Sequence, residues 1–354
     1  MYFGLPGREE IGSILDEIIE DSSLNNKLTK DEKEDIINAS LGLTETEILN
    51  ACAYSMIENG GKIQAHTITK QKKQIIEKNG LLEYQEPNIN LEDVGGLNEL
   101  LSWVKKRKIA YNEKVRKKYH LDYPKGLLMT GVQGCGKSFT AKAISSFLGV
   151  PFLKLDMGTM MNKWVGQSES NIRKALSLAE GIAPCVLFID EIEKGISDPS
   201  SGNSHEVSNR ILSTLLNWLQ EKTSPVFVIA TSNNIDLLPP ELLRKGRFDE
   251  IFFIDLPDHQ GKKDIFELKL SKKEQNLKKF DLDLLAEACD GFSGSEIESV
   301  VNEAMFEAAY LNIDLTTNLL LKEIKRTNPL SKTMADKVNK IRDWAKKHSI
   351  RMAG

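Results

Sequence analysis

This sequence contains neither a closely spaced pair of cysteines nor a long apolar run. The four cysteines stand singly at positions 52, 135, 185 and 289, without a C-x-x-C pair, which disfavours zinc and disulfide frameworks. The five histidines are too scattered to form a ligand cluster. No apolar run approaches the length of a membrane span, and the first residues lack the apolar core of a signal peptide. We therefore expect no membrane partner and a reducing compartment, either the cytoplasm or an organelle stroma.

The chain also lacks a large excess of either charge, since its net charge is −4. One local exception is the basic stretch over residues 105–118, which contains eight lysine and arginine residues and a single acidic residue, Glu113. Interleaved aromatic residues make a nucleic-acid footprint one interpretation of this stretch, and a solvated helix face is the other. No recognition module accompanies it, which favours the helix face and argues against a nucleic-acid partner. The absence of an H-E-x-x-H motif argues against proteolysis by this chain.

The order of predicted helices and strands divides the chain into three parts. Residues 1–86 have apolar residues at helical spacing and predict a small helical N-terminal region. Residues 87–257 alternate short apolar runs with helical stretches, which predicts an α/β fold with a doubly wound parallel sheet. Residues 258–354 predict helices alone. The predicted strands are Leu127–Thr130, Phe152–Leu155, Cys185–Ile189, Val226–Ala230 and Ile251–Ile254.

A short pattern near the N-terminus recurs in the C-terminal third of the chain. Four residues recur at one offset of 249, as the pairs Gly42 and Gly291, Glu47 and Glu296, Ile48 and Ile297, and Met56 and Met305. Such an echo predicts a duplicated helical unit. Chance similarity between two helical segments rich in Glu and Ile is the alternative.

Residues 131–138 match the phosphate-binding motif G-x-x-x-x-G-K-[ST] at every specified position. Glycines let the backbone fold around phosphates, and a helix that starts at the loop adds its positive N-terminal end. In this pattern Lys137 supplies charge to the β- and γ-phosphates, and Ser138 offers a hydroxyl to Mg²⁺. The predicted nucleotide-contacting residues here are Gly131, Val132, Gln133, Gly134, Cys135, Gly136, Lys137, Ser138 and Phe139.

Polar residues end two further predicted strands. Asp190 and Glu191 follow four apolar residues, which places two carboxylates at the edge of the sheet where ligands bind. Asp190 suits Mg²⁺, and Glu191 suits orienting and deprotonating an attacking water. Asn233 follows the next strand and can hydrogen-bond the water or the γ-phosphate, although a helix cap or turn is its alternative role.

These motifs and the run from Pro239 to Asp249 resemble the AAA clade of AAA+ ATPases, from Asp93 to about residue 310. The resemblance implies a P-loop sheet followed by a helical lid, with ATP and Mg²⁺ as ligands. It implies that Asn233 is the sensor-1 residue. It also implies that Arg244 and Arg247 are arginine fingers that reach the γ-phosphate held by a neighbouring subunit, usually in a hexameric ring of identical chains. The residues expected beside the adenine are Val94, Gly96 and Gly294.

One position departs from the pattern of the clade, because Glu250 stands where an arginine is common. Here the chain is similar to an AAA ATPase family of cyanobacteria and algal plastid genomes, as it is at residues 329–334 and 342–345. Members of that family carry an N-terminal region that resembles a degenerate AAA domain. We therefore expect residues 1–86 to resemble a degenerate AAA lid, in a shortened form. An organelle-encoded member is expected in the plastid stroma.

The segment Lys163, Trp164, Val165 and Gly166 resembles the pore loop of AAA translocases, whose aromatic residue grips an extended polypeptide. A tryptophan that packs in the core of its own subunit is the alternative. We expect an ATPase that remodels or threads a protein client. A nucleotide-gated scaffold that threads nothing and a nucleic-acid motor are the alternatives.

Overall fold

The computed structural model describes residues 5–21, 28–78, 80–158, 168–195, 202–244 and 246–354. Its centre is one sheet of seven strands, and their order across the sheet is β1-β3-β4-β5-β2-β6-β7. The strands are β1 (Glu83–Gln85), β2 (Gly126–Gly131), β3 (Phe152–Leu155), β4 (Cys185–Ile189), β5 (Val226–Ser232), β6 (Glu250–Ile254) and β7 (Arg351–Met352). All neighbouring strands run parallel, except that β1 is antiparallel to β3.

The helices fall into an N-terminal group, a group on the sheet and a C-terminal group. In chain order they are α1 (Arg8–Asp21), α2 (Lys30–Ser40), α3 (Glu45–Glu58), α4 (Ala65–Lys78), α5 (Asn98–Lys108), α6 (Glu113–Tyr119), α7 (Lys137–Leu148), α8 (Ser168–Ile182), α9 (Gly202–Glu221), α10 (His259–Lys272), α11 (Leu282–Ala288), α12 (Gly294–Leu311), α13 (Thr317–Arg326), α14 (Leu330–Thr333) and α15 (Ala335–Lys347). Within the described ranges, no helix is both long and apolar enough to cross a membrane.

The five inner strands, β2 to β6, contain the apolar runs that the sequence predicts. Every residue of β2, β4 and β5 is buried, which is typical of parallel strands covered on both faces. One apolar core includes Leu176 of α8 and Leu216 of α9, and a second core on the other face includes Trp103 of α5 and Ile144 of α7. The predicted doubly wound α/β sheet is confirmed.

The sheet extends further at both edges than the sequence predicts. β1 lies inside the N-terminal region that was expected to be helical, and β7 contradicts the prediction of helices alone after residue 257. Neither short strand carries an apolar run, because Tyr84 is the buried residue of β1 and both residues of β7 are exposed. Pairing with a longer neighbouring strand therefore defines them, and local sequence does not.

Helices α10 to α13 form a unit with an apolar core of its own, in which Phe266, Leu285 and Val300 are fully or almost fully buried. This unit contacts the loop that follows β2, because the Ser295 N–H donates to the carbonyl of Gly134 at 3.0 Å. The first turn of α12 is thereby held against the phosphate-binding motif.

Helices α1 to α4 form an N-terminal bundle around a core that includes Ile11, Ile48 and Ile68. The bundle packs on the end of α8. A Cβ at Gly42 would lie 2.9 Å from the Cα of Ile182. Ile76 of α4 also joins the core between α8 and the sheet. Contacts with both a helix and the sheet core tie the bundle to the rest of the chain.

Candidate active site

A cavity of about 680 Å³ lies at the carboxyl ends of the parallel strands, the edge where open α/β sheets bind ligands. Its walls come from the loop after β2, the ends of β4 and β5, the linker before α5, and the start of α12. The predicted site residues that line it are Val94, Gly96, Gln133, Gly134, Cys135, Gly136, Lys137, Ser138, Phe139, Asp190, Glu191, Asn233 and Gly294. Two further predicted site residues, Gly131 and Val132, do not line the cavity. Gly131 ends β2, and the Val132 N–H donates to the carbonyl of Ile254.

Lys137 begins α7 and is almost fully buried at the base of the cavity. Its Nζ donates to the carbonyls of Gly131 and Val132, both at 2.9 Å. Burial lowers the pKa of Lys137 to about 8, because the ammonium group is removed from water. An anion in the cavity would raise this pKa again and so strengthen the preference for the charged form.

Gly134 shows why the predicted phosphate-binding loop needs glycine. Its φ of +78° is in the left-handed region, and a Cβ there would lie 2.4 Å from Oγ of Ser295. A side chain at this position would push the first turn of α12 away from the loop. The space beside Gly136 is open, because a Cβ there would meet no atom within 4 Å. The loop therefore leaves room for a ligand at the backbone.

Asp190 and Ser138 meet at the floor of the cavity. Oδ1 of Asp190 accepts a hydrogen bond from Oγ1 of Thr231 at 2.6 Å and another from Oγ of Ser138 at 3.3 Å. Thr231 also accepts the N–H of Glu191 at 2.9 Å, so this almost fully buried threonine orients both acids. A carboxylate and a hydroxyl side by side are the hard oxygen ligands that Mg²⁺ prefers.

Glu191 lies just beyond the end of β4 and has a φ of +48°. Non-glycine residues rarely adopt this backbone conformation, and those that do cluster at functional sites. Oε1 of Glu191 accepts a hydrogen bond from Nδ2 of Asn233 at 2.6 Å, and Oε2 pairs with the ammonium group of Lys194. The hydrogen bond from Lys194 holds the pKa of Glu191 below its usual range. This carboxylate is therefore ionised at neutral pH, which is the form that a general base must have.

Arg244 and Arg247 lie outside the lining of this chain's own cavity. Arg244 is exposed after a short helical turn at Pro240–Leu243, and Arg247 is half-buried. In the described part of the chain, Nη1 of Arg247 is buried without a hydrogen-bond partner. The predicted pore-loop segment Lys163, Trp164, Val165 and Gly166 lies outside the described residues.

Glu250 has a partner within the chain. Nη1 of Arg351 lies 3.7 Å from Oε2 of Glu250, and Nη2 of the same arginine lies 2.8 Å from Oε2 of Glu99. Glu250 thus faces a basic residue, Arg351, on the neighbouring strand β7.

Several residues of the cavity region escaped the sequence analysis, among them Thr231, Asp255 and Met352. Thr231 directly precedes the polar end of β5, so the same edge rule that finds Asn233 could have found it. Asp255 follows β6 and lines the cavity, and the same rule applies to it. Met352 also lines the cavity, but it belongs to β7, which has no local signal.

Comparison with known proteins agrees with this geometry. Residues 127–256 match the ATPase family associated with various cellular activities (AAA), and residues 279–317 match the AAA+ lid domain. The chain is 40% identical over 357 residues to the uncharacterized AAA domain-containing protein ycf46 of Guillardia theta, with 100% of this chain and 70% of that protein covered. The chain belongs to the AAA ATPase family.

Other AAA relatives extend the comparison. The ycf46 protein of Trieres chinensis is 39% identical over 357 residues, which cover 100% of this chain and 71% of the relative. The proteasome-activating nucleotidase of Sulfurisphaera tokodaii is 34% identical over 262 residues, which cover 70% of this chain and 66% of that protein. Residues 9–79 match the second domain of SpoVK-like AAA ATPases. As an AAA protein, the chain is a nucleotide-binding ATPase.

Proposed function

We propose that this AAA ATPase uses the cavity beside Lys137 to hydrolyse ATP and drives the remodelling of a protein client. The observation that carries the catalytic part is the hydrogen bond between Asn233 and Glu191 at the cavity edge. In this proposal the backbone of residues 131–138 and the ammonium group of Lys137 bind the phosphates. Val94, Gly96 and Gly294 line the part of the cavity that would take the base.

Ser138 and Asp190 are the residues that would hold Mg²⁺. Their oxygens lie 3.3 Å apart in a cluster completed by Thr231, and hard oxygen ligands suit this ion. Bound Mg²⁺ would neutralise charge on the β- and γ-phosphates.

Glu191 is the proposed base that accepts the proton of the attacking water, and Asn233 orients that water. The ionised state of Glu191 and its fixed position next to Asn233 support these roles. The N–H of Asn233 donates to Oε1 of Glu193 at 2.8 Å, so the backbone at this position is held as well.

Arg244 and Arg247 are proposed to act on the nucleotide of a neighbouring subunit in a homo-oligomeric ring, which we expect to be hexameric. One fact supports action in trans, since neither arginine lines this chain's cavity. An arginine that completes a phosphoryl-transfer site from another subunit makes activity depend on assembly.

Remodelling or threading of a protein client is the part of the proposal that rests on resemblance. The pattern around Trp164 and the likeness to a proteasome-activating nucleotidase support it. Arginine–aromatic contacts within the basic stretch, such as Arg107 over the ring of Trp103, favour a helix face over a nucleic-acid footprint.

We also infer that the N-terminal bundle is a lid-like unit without a nucleotide site. α3 and α12 begin at positions that match at the offset of 249 residues, and each begins with a capping box, Thr44 with Glu47 and Ser293 with Glu296. Equivalent positions are buried in both helices, such as Ile48 with Ile297. Glu45 stands where α12 has Gly294, so the close backbone approach that glycine permits is missing.

The proposed function is tested by turnover and by client capture. Purified chain should hydrolyse ATP in a Mg²⁺-dependent manner, and Glu191→Gln should trap ATP-dependent complexes with a protein client. Glu180→Gln, an exposed acid on α8, is the matched control that should neither slow hydrolysis nor trap a client. ATP hydrolysis without any ATP-dependent protein capture would contradict the remodelling of a protein client.

A further inference from the structure

The C-terminal end of the chain reaches the nucleotide cavity. β7 lies beside β6, where Met352 pairs with Phe253. The Ala353 N–H donates to the carbonyl of Phe253 at 3.0 Å, and the Ala353 carbonyl accepts the Leu100 N–H, also at 3.0 Å. Ala353 is fully buried between these partners. The backbone of this segment is thus fixed between the sheet edge and the first turn of α5.

The segment from β7 to Gly354 lies beside the linker that contains Val94 and Gly96, and not beside the phosphate-binding loop. β6 separates β7 from β2 and from the loop that follows β2. A Cβ at Gly354 would lie 2.4 Å from the carbonyl oxygen of Gly96, so the two backbones touch. Met352 and Gly354 line the same cavity as Val94 and Gly96.

Met352 remains 46% exposed although its neighbour Ala353 is fully buried. A thioether on the wall of an open cavity provides a flexible and polarisable surface for an aromatic ring. We propose that Met352 packs against the base of the bound nucleotide, so that the C-terminal strand supplies one wall of the base site. This inference rests on the proposed function, because it concerns the nucleotide that the cavity is proposed to bind.

Ion pairs from the C-terminal segment hold that wall in place. Nε of Arg342 donates to Oδ2 of Asp255 and Nη2 donates to Oδ1, both at 2.8 Å, and Asp255 follows β6 and lines the cavity. Arg351 adds its contacts with Glu99 and Glu250. A bidentate pair fixes orientation as well as distance. Arg342 is therefore a positioning residue for the wall that carries Met352.

The experiment measures the binding of ADP and of tripolyphosphate to the full chain by titration calorimetry. Met352→Ala should weaken ADP binding by about twofold to tenfold, the range expected for loss of one sulfur–aromatic contact. It should leave tripolyphosphate binding unchanged, because that probe has no base. Met352→Leu keeps an apolar side chain of similar size but lacks the sulfur, so its ADP affinity should lie between those of the unaltered chain and of Met352→Ala. Met334→Ala removes another partly exposed methionine, outside the cavity, and is the matched control.

The two probes separate the possible failures. Unchanged ADP affinity in Met352→Ala would contradict the proposed contact between Met352 and the base. An equal loss of affinity for ADP and tripolyphosphate would contradict it as well. If the unaltered chain binds neither probe, the proposed function itself fails. Thermal unfolding of each variant establishes that the fold is intact, and Arg342→Lys should preserve ADP affinity better than Arg342→Ala if the arginine positions the wall.

Discussion

The side-chain amide of Asn233 donates a hydrogen bond to Oε1 of Glu191 at 2.6 Å, across the ends of the adjacent strands β4 and β5. Each residue is held by a further contact, since the Asn233 N–H bonds Glu193 and the Glu191 N–H bonds Thr231. An amide and an ionised carboxylate are therefore presented together to one point of the cavity. That arrangement is suited to orienting a water molecule and removing its proton.

Glu191→Gln should retain ATP binding and lower kcat by about 10²- to 10⁴-fold, the usual contribution of a positioned acid or base. Glutamine can still accept the hydrogen bond from Asn233, but it cannot take a proton. Steady-state turnover and equilibrium binding of ATP measure the two effects separately. A turnover rate near that of the unaltered chain would contradict the assignment of Glu191 as the base.

Lys137→Ala should lose ATP binding, because the positive charge at the base of the phosphate-binding loop is removed. Lys142→Ala, on the same helix, is the control and should bind ATP normally. Titration calorimetry provides the comparison. Equal affinities for the two variants would show that Lys137 does not meet the phosphates.

Arg247→Ala should bind ATP and lose about 10³- to 10⁵-fold in kcat, as expected for an arginine that acts in trans. An equimolar mixture of Arg247→Ala and Glu191→Gln should recover activity, because mixed rings contain sites with an intact glutamate next to an intact arginine. Specific activity should also rise with protein concentration. An inactive mixture, or activity that does not depend on concentration, would contradict action between subunits.

Calorimetric titration of Glu191→Gln should find one nucleotide per chain at saturation. The N-terminal bundle has no phosphate-binding loop in its sequence, and Glu45 stands where the lid has Gly294. A stoichiometry near two would contradict the inference that the bundle is a lid-like unit without a site.

Lys72 gives a prediction for pH dependence. Burial lowers the pKa of Lys72 to about 8, from an ordinary value of 10.5. The unfolded chain therefore binds more protons between these two values, and the free energy of unfolding should rise with pH across that window. Lys72→Met should raise the free energy of unfolding by up to about 3 kcal/mol at pH 7, and the gain should shrink as pH rises from about 8 towards 10.5. Denaturant unfolding of Lys72→Met and of the exposed control Lys73→Met measures this, and a gain that is the same at every pH would contradict it.

Local patterns in the sequence determined the inner sheet and most of the candidate site. The apolar runs at residues 127–130 and 185–189 identify buried parallel strands, because a strand covered on both faces has no polar side. The polar residues that end such strands must then meet at one edge of the sheet. For that reason Asp190, Glu191 and Asn233 are predicted to share one cavity, and the motif after β2 adds Lys137 to it.

Only the tertiary structure decided which distant segments complete the cavity. β7 is two exposed residues long, and its pairing with β6 joins segments about a hundred residues apart in the chain. The contacts of Arg342 with Asp255 and of Arg351 with Glu250 arise in the same way. Side-chain periodicity records which face of an element is buried, but it carries no information about the partner against which a short exposed strand packs. The place of Met352 in the cavity therefore follows from the folded arrangement of the whole chain.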